Sequence, residues 1–167
     1  FANATSFNQP LENWNTSNVT NISYMFQNAS SFNKAINSWN LGAVTNMNGM
    51  FFGATVFNQS LGTWATKLNA GVSLGQFLDN SGISTANYDS TLIAFDASAP
   101  NGRSMGAAGL KYCAGTAARA HLISTKGWTI SGDMALGALA TWYLDADGDG
   151  YDSQIIDTCA SPGIGYT

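Results

Sequence analysis

The sequence predicts an α/β repeat solenoid of short parallel strands and short helices, with a helical C-terminal cap and then a small acidic-loop module. Three observations carry this expectation. A residue pattern returns every 25 positions through the first half of the chain. Within each copy, apolar residues fall at helical steps. And five of the ten acids, Asp145, Asp147, Asp149, Asp152 and Asp157, crowd into one short stretch near the end.

The period is explicit. Phe1, Phe26 and Phe51 stand in register, as do Ala4, Ala29 and Ala54; Phe7, Phe32 and Phe57; Asn8, Asn33 and Asn58; Leu11, Ile36 and Leu61; and Trp14, Trp39 and Trp64. Val19 with Val44, Asn21 with Asn46 and Met25 with Met50 extend the register, and Phe77 follows after 26 residues. A unit this short cannot close a core alone, so copies must stack and bury their apolar columns against one another. Val19, Ile22, Phe26 and Ala29, at steps of three, four and three, read as one face of a helical turn or two. Thr16, Ser17 and Asn18 are candidates to cap that turn. Leu11 to Trp14, and Ile36 to Trp39, supply at most brief strands, expected to pair in parallel along the stack. The Asn column is flanked by core positions. It is therefore read as satisfying turn groups of its own and adjacent coils rather than as a polar ligand-binding ladder.

The third copy departs from the pattern: ATKLNAGVSLGQF stands where the V-T-N stretch is due, and the array is expected to begin ending there. Residues 79–133 are expected to cap it. Tyr88, Leu92 and Phe95 predict a helix over 85–95, capped by Ser84 or Thr85. The Ala-rich stretch from Ala114 to Thr125 predicts a second helix ending near Gly127, and Trp128 to Ile130 a short final strand. His121, the single His, lies in that second helix. With no Cys or carboxylate near it in sequence, it is read as solvent-facing or hydrogen-bonded rather than as a ligand or base.

Composition narrows the function classes. Charged residues make up 10% of the chain, and the hydrophobic share of 45% is ordinary. Asn, Ser, Thr and Gly account for 67 of the 167 residues, so the polar surface is mostly uncharged. Four Lys and two Arg are scattered singly, which argues against binding a phosphate backbone. No stretch of about 18 apolar residues exists to span a membrane. The chain starts at Phe1 and is expected to be a piece of a longer or processed extracellular protein. No nucleophile motif accompanies His121, and an enzyme is not expected.

The net charge of −4 is local: residues 1–144 carry five acids against six bases. Asp145, Asp147, Asp149 and Gly150 match the D-x-D-x-D-G start of a calcium loop, with the Tyr151 carbonyl as the next ligand. Hard oxygen ligands favour Ca²⁺, and clustered carboxylates repel one another without a cation. Position twelve of an EF-hand loop would be Glu; here it is Ile156, so Asp152 or Asp157 is expected to close the shell. The expected domains are therefore 1–78 repeats, 79–133 cap, and 134–167 linker and start of a calcium-binding module.

Residues 14–64, with W-N-T-S-N-V-T-N-I-S-Y-M-F-Q-N-A-S-S-F-N as the first full unit, closely resemble the BspA-like leucine-rich-repeat bacterial surface proteins. The segment 79–130 resembles the C-terminal end of such arrays in Bacteroidetes-type surface proteins. T-W-Y-L-D-A-D-G-D-G-Y resembles the metal-binding motif repeated in bacterial surface proteins, akin to thrombospondin type 3 and dockerin loops. The resemblance implies a leucine-rich-repeat-like fold at the cell surface or in secretion. It also implies an adhesin or structural-stalk role, with further domains of the same chain and an extracellular protein or glycan as partners.

Cys113 and Cys159 suit an exported protein. They pair with each other, or Cys159 pairs beyond Thr167. The alternative function is a glycan-binding module using Trp14, Trp39 and Trp64 as a platform, although their register beside core columns favours packing. An ice-binding surface is disfavoured because no T-x-T column exists.

Overall fold

The computed structural model describes residues 1–137, together with the backbone of the segments 140–144 and 154–158. Its first half is set by where the backbone N–H groups of one 25-residue copy go. From Met25 to Ala29 the odd residues donate three positions back, Met25 to Ile22, Gln27 to Tyr24 and Ala29 to Phe26. The even residues donate outward to the next copy. Ile22, Tyr24, Phe26 and Asn28 reach the carbonyls of Asn46, Asn48, Met50 and Phe52 at 2.9, 2.9, 2.9 and 2.7 Å. Met47, Gly49, Phe51 and Gly53 repeat this toward Ser73, Gly75, Phe77 and Asp79. Every second N–H thus serves its own turn and every other one ties two layers together.

This pattern overturns the expected α/β leucine-rich-repeat-like solenoid. Residues 1–81 contain no α-helix and no strand, only turns, isolated parallel bridges and a 3-10 turn at Gly62–Trp64. The stretch from Val19 to Ala29 cannot be helical, because Tyr24 and Asn28 take φ of 55° and 53°, which breaks a right-handed run. Nor do Leu11–Trp14 and Ile36–Trp39 form strands: Trp14 and Trp39 donate back to Leu11 and Ile36 in tight turns.

Regular elements lie further on. Helix α1 spans Thr85–Ser98 and α2 Thr116–Ser124. Strands β1 (Ser104–Gly106) and β3 (Thr129–Ser131) pair in parallel, as do β2 (Lys111–Tyr112) and β4 (Met134–Ala135). These are open two-stranded pairs, not one continuous sheet. Strands β5 (Ala140–Leu144) and β6 (Gln154–Thr158) pair antiparallel. Ser84 caps α1 by accepting from Asn87, and Tyr88, Leu92 and Phe95 are buried on it, as their spacing requires.

Layer-to-layer bonding does not stop at the irregular third copy. Leu78 donates to Gly106 and Asn80 to Ala108; Ala107 then donates to Ser131 and Gly109 to Gly132. The parallel bridges Asn21 to Asn46, Asn46 to Ser73 and Leu74 to Met105 lead into the β1–β3 pair. The third copy is irregular in side chains, yet its backbone keeps the register.

The core follows the columns. Phe1, Phe26, Phe51 and Phe77 succeed one another at ring separations of 5.7, 5.8 and 5.6 Å. Phe7, Phe32 and Phe57 form a second file at 5.9 and 6.0 Å, lying 3.9 Å from the first at Phe26–Phe32 and Phe51–Phe57. Burying each of the inner rings, Phe26, Phe32, Phe51, Phe57 and Phe77, stabilises by about 2–3 kcal/mol, and the ring pairs add roughly 1 kcal/mol each.

Candidate functional site

The polar groups that the fold gathers are best read outward from the core. Trp39 and Trp64 are 1% and 0% exposed, and their indole N–H groups donate to the Leu11 and Ile36 carbonyls. Trp14 is 48% exposed. A three-tryptophan platform therefore does not form; two of the rings are packing. The Asn column is a ladder, but it runs along the surface rather than in the core. Asn8 Oδ1 accepts the Asn33 N–H at 3.0 Å, Asn33 Oδ1 that of Asn58 at 2.9 Å, and Asn58 Oδ1 that of Ser84 at 2.8 Å. Each carboxamide thereby satisfies a turn in the following layer.

The two helices carry the charged chemistry. Asp89, buried on α1, accepts N–H groups from Cys113, Ala114 and Gly115 at 2.9, 3.0 and 2.9 Å. Those amides lead into α2, whose own N-cap, Gly115, has no side chain to offer, so a carboxylate from α1 satisfies that end. The Asp133 side chain is fully covered and ties α1 and α2 to the turn between β3 and β4. It accepts from Tyr88 Oη at 2.8 Å and from Arg119 Nε and Nη2 at 2.7 Å each, while the guanidinium lies 4.8 Å from the Tyr112 ring centre. Burial, reinforced by the Asp133 charge, pushes the Tyr88 phenol well above its ordinary range. The hydrogen bond to Asp133 raises Arg119 as well.

His121 Nδ1 lies 2.6 Å from Asp96 Oδ1, an exposed pair bridging α2 and α1. Its carboxylate partner sits 25 residues upstream, out of sight of a local reading. Lys126 Nζ, bonded to the Asp96 and Ala99 carbonyls at 2.7 and 2.9 Å, closes the C-terminal end of α1. These clusters are internally satisfied and hold helices together. Among the described residues no three His, Cys, Asp or Glu side chains come together as a metal site.

Asp145, Asp147, Asp149, Tyr151 and Asp152 lie outside the described residues, and Asp157 is described only as backbone, opposite Thr141 in the β5–β6 pair. Cys113 is buried and is not a free thiol; Cys159 lies outside the described residues. Among the described residues no helix is long and apolar enough to cross a membrane.

Residues 1–81, a little under half of the chain, match the family described as "Mycoplasma protein of unknown function, DUF285". The match covers the 25-residue copies and ends ahead of α1. It is consistent with a bacterial surface protein and carries neither an activity, nor a BspA-like assignment, nor a calcium motif. No curated protein matches the chain, and no solved structure does.

Proposed function

We propose that the chain is a non-enzymatic segment of a bacterial surface protein, an adhesive or spacing stalk whose last module is stiffened by Ca²⁺. The observation that carries the reading is the layer-to-layer bonding that recurs from Asn21 to Ser131 under an almost uncharged Asn, Ser and Thr surface, as a stiff spacer would require. The family match supports a surface setting.

The calcium part rests on the sequence D-A-D-G-D-G-Y and is supported by the strands around it. Leu144 pairs with Gln154, so residues 145–153 link two joined strand ends, and Asp145, Asp147, Asp149 and Asp152 all fall within that link. Asp157 stands three positions further down β6, roughly 10 Å of strand away, which supports Asp152 as the closing ligand. Ca²⁺ would neutralise the crowded carboxylates there.

Calorimetric titration of the full chain tests the reading. Binding in the range of about 10⁻⁴–10⁻³ M, typical of extracellular modules, is expected. It should be lost in the double variant Asp147→Asn, Asp149→Asn, and EDTA should lower the melting temperature of the parent only. No heat at millimolar Ca²⁺ removes the metal from the proposal.

A further inference from the structure

Away from the repeat layers, an apolar groove of about 700 Å³ opens on the cap. Ala114, Ala117 and Ala120 line it from the α2 side, Ala135 and Gly137 from the β4 side, and Cys113 lies among them. The five small residues are exposed, and Met134 and Leu136 beside them stand at 55% and 39%. No charged side chain lines the groove among the described residues. Cys113 is buried and disulfide-bonded, and the chain's one other cysteine is Cys159. Two routes from the groove lead to the same end of the β5–β6 pair. Gly137 stands three residues ahead of Ala140, the start of β5, and Cys159 directly follows Thr158, the end of β6. Ala140 and Thr158 are cross-strand partners.

We propose that a Cys113–Cys159 disulfide seats the β5–β6 pair in this groove and joins the cap to the last module through one interface within the chain. Both strands are then tied at one end. Strand β5 is held by three residues of chain, about 10 Å at full stretch. Strand β6 is held by one residue and a bridge whose Cα atoms stand about 5.5 Å apart. Strand alternation places Trp142 with Ile156, and Leu144 with Gln154, on the face of Ala140 and Thr158; Thr141, Tyr143, Ile155 and Asp157 share the other. The first face is the more apolar, and it brings the bulk that a trough of alanines lacks. Trp142 and Ile156 are two positions in from the tied end, roughly 7 Å along the strands, so the groove is within their reach. The bridge forms by exchange with an oxidised low-molecular-weight disulfide: the two cysteines give up two protons and two electrons, and the exchanging disulfide becomes two thiols. This junction belongs to the stalk proposed above but needs no Ca²⁺, because the acidic link 145–153 lies at the opposite end of the pair.

The test uses the full chain, isolated without reductant and kept in excess Ca²⁺ so that a loosened acidic link cannot mimic an empty groove; whether Ca²⁺ binds is read by the titration alone. Trypsin without reduction should release Tyr112–Arg119 linked to Gly127–Thr167 from a monomer. Oxidation of Trp142, read by mass spectrometry, should match that of the buried Trp39 and Trp64. It should rise to that of the half-exposed Trp14 on reduction and in Cys159→Ser. The double variant Ala117→Glu, Ala120→Glu, at two exposed positions, should raise it with the bridge intact, which separates the seat from the tether. Two free thiols, a bridge between two chains, a Trp142 as reactive as Trp14 in the oxidised parent, or a Trp142 indifferent to the two glutamates would each overturn the proposal.

Discussion

Oδ1 of Asp89, in the first half of α1, accepts the N–H of Gly115 at 2.9 Å, one residue ahead of α2. One helix thereby supplies the missing cap of another. A Cβ on Gly115 would lie 2.8 Å from that oxygen, so the close approach depends on glycine there. Removing the acceptor strands three amides, two of them buried and one part-buried. Asp89→Ala is expected to cost about 3–4 kcal/mol, read as a lower urea midpoint at unchanged slope. Asp89→Asn keeps an oxygen for Cys113 and Gly115 and should cost about 1 kcal/mol. Equal losses in the two variants would mean that capping is not what Asp89 contributes.

The Asn ladder gives a local prediction. Asn33 Oδ1 accepts from the Asn58 N–H at 2.9 Å and from Gln59 Nε2 at 2.8 Å. Asn33 is exposed, so water replaces part of what is lost, and Asn33→Ala should cost about 1 kcal/mol. The Asn58 amide should exchange faster in that variant, while Asn33→Asp, which keeps the acceptor, should hold it protected. Unchanged exchange at Asn58 in Asn33→Ala would show that the ladder does not bind the layers.

The columns that fill the core were legible because each copy repeats the same burial. The path of the backbone is not fixed by the same spacing, because steps of three and four suit successive turns as well as a helix. The distinguishing signal lies in the residues that adopt left-handed φ: Asn3, Asn28, Gly53 and Asn80 at one position of successive layers, Tyr24, Gly49 and Gln76 at another. Asn and Gly tolerate that conformation, so the first column was visible in principle. Helix α1 announced itself through Ser84 and its apolar spacing. The contacts of Asp89 with 113–115 and of Asp96 with His121 join residues 24 to 26 apart, and no local pattern encodes them.

Layer spacing can be probed at two glycines with different requirements. A Cβ on Gly106 would meet Gln76 Cα and N at 2.4 and 2.5 Å, backbone atoms that cannot move without parting two layers. Gly102 has open space but a φ of +68°. Gly106→Ala should therefore cost about 3 kcal/mol through overpacking, and Gly102→Ala about 1 kcal/mol through backbone strain alone. Thermal unfolding of both variants checks the ranking, and a Gly106→Ala as mild as Gly102→Ala would contradict the close layer contact.

The Tyr88–Asp133–Arg119 cluster predicts an alkaline limb of stability. Burial first, and then the Asp133 carboxylate, raises the Tyr88 phenol in the folded chain. A group raised on folding contributes stability that is fully present below its unfolded pKa, about 10 for tyrosine, and is lost as pH climbs toward the folded value. Above that point the unfolded chain releases a proton that the folded chain keeps. Arg119 is raised from an already high value and adds nothing within the accessible range. Tyr88's contribution should therefore be level from pH 7 to about 9 and decline above about 10. Tyr88→Phe should cost about 1.5–3 kcal/mol at pH 7, through the lost bond to a buried carboxylate, and its alkaline limb should be shallower than the parent's. Denaturant midpoints of both proteins across pH 7–11 decide the matter: parallel limbs would show that Tyr88 titrates as it does in the unfolded chain.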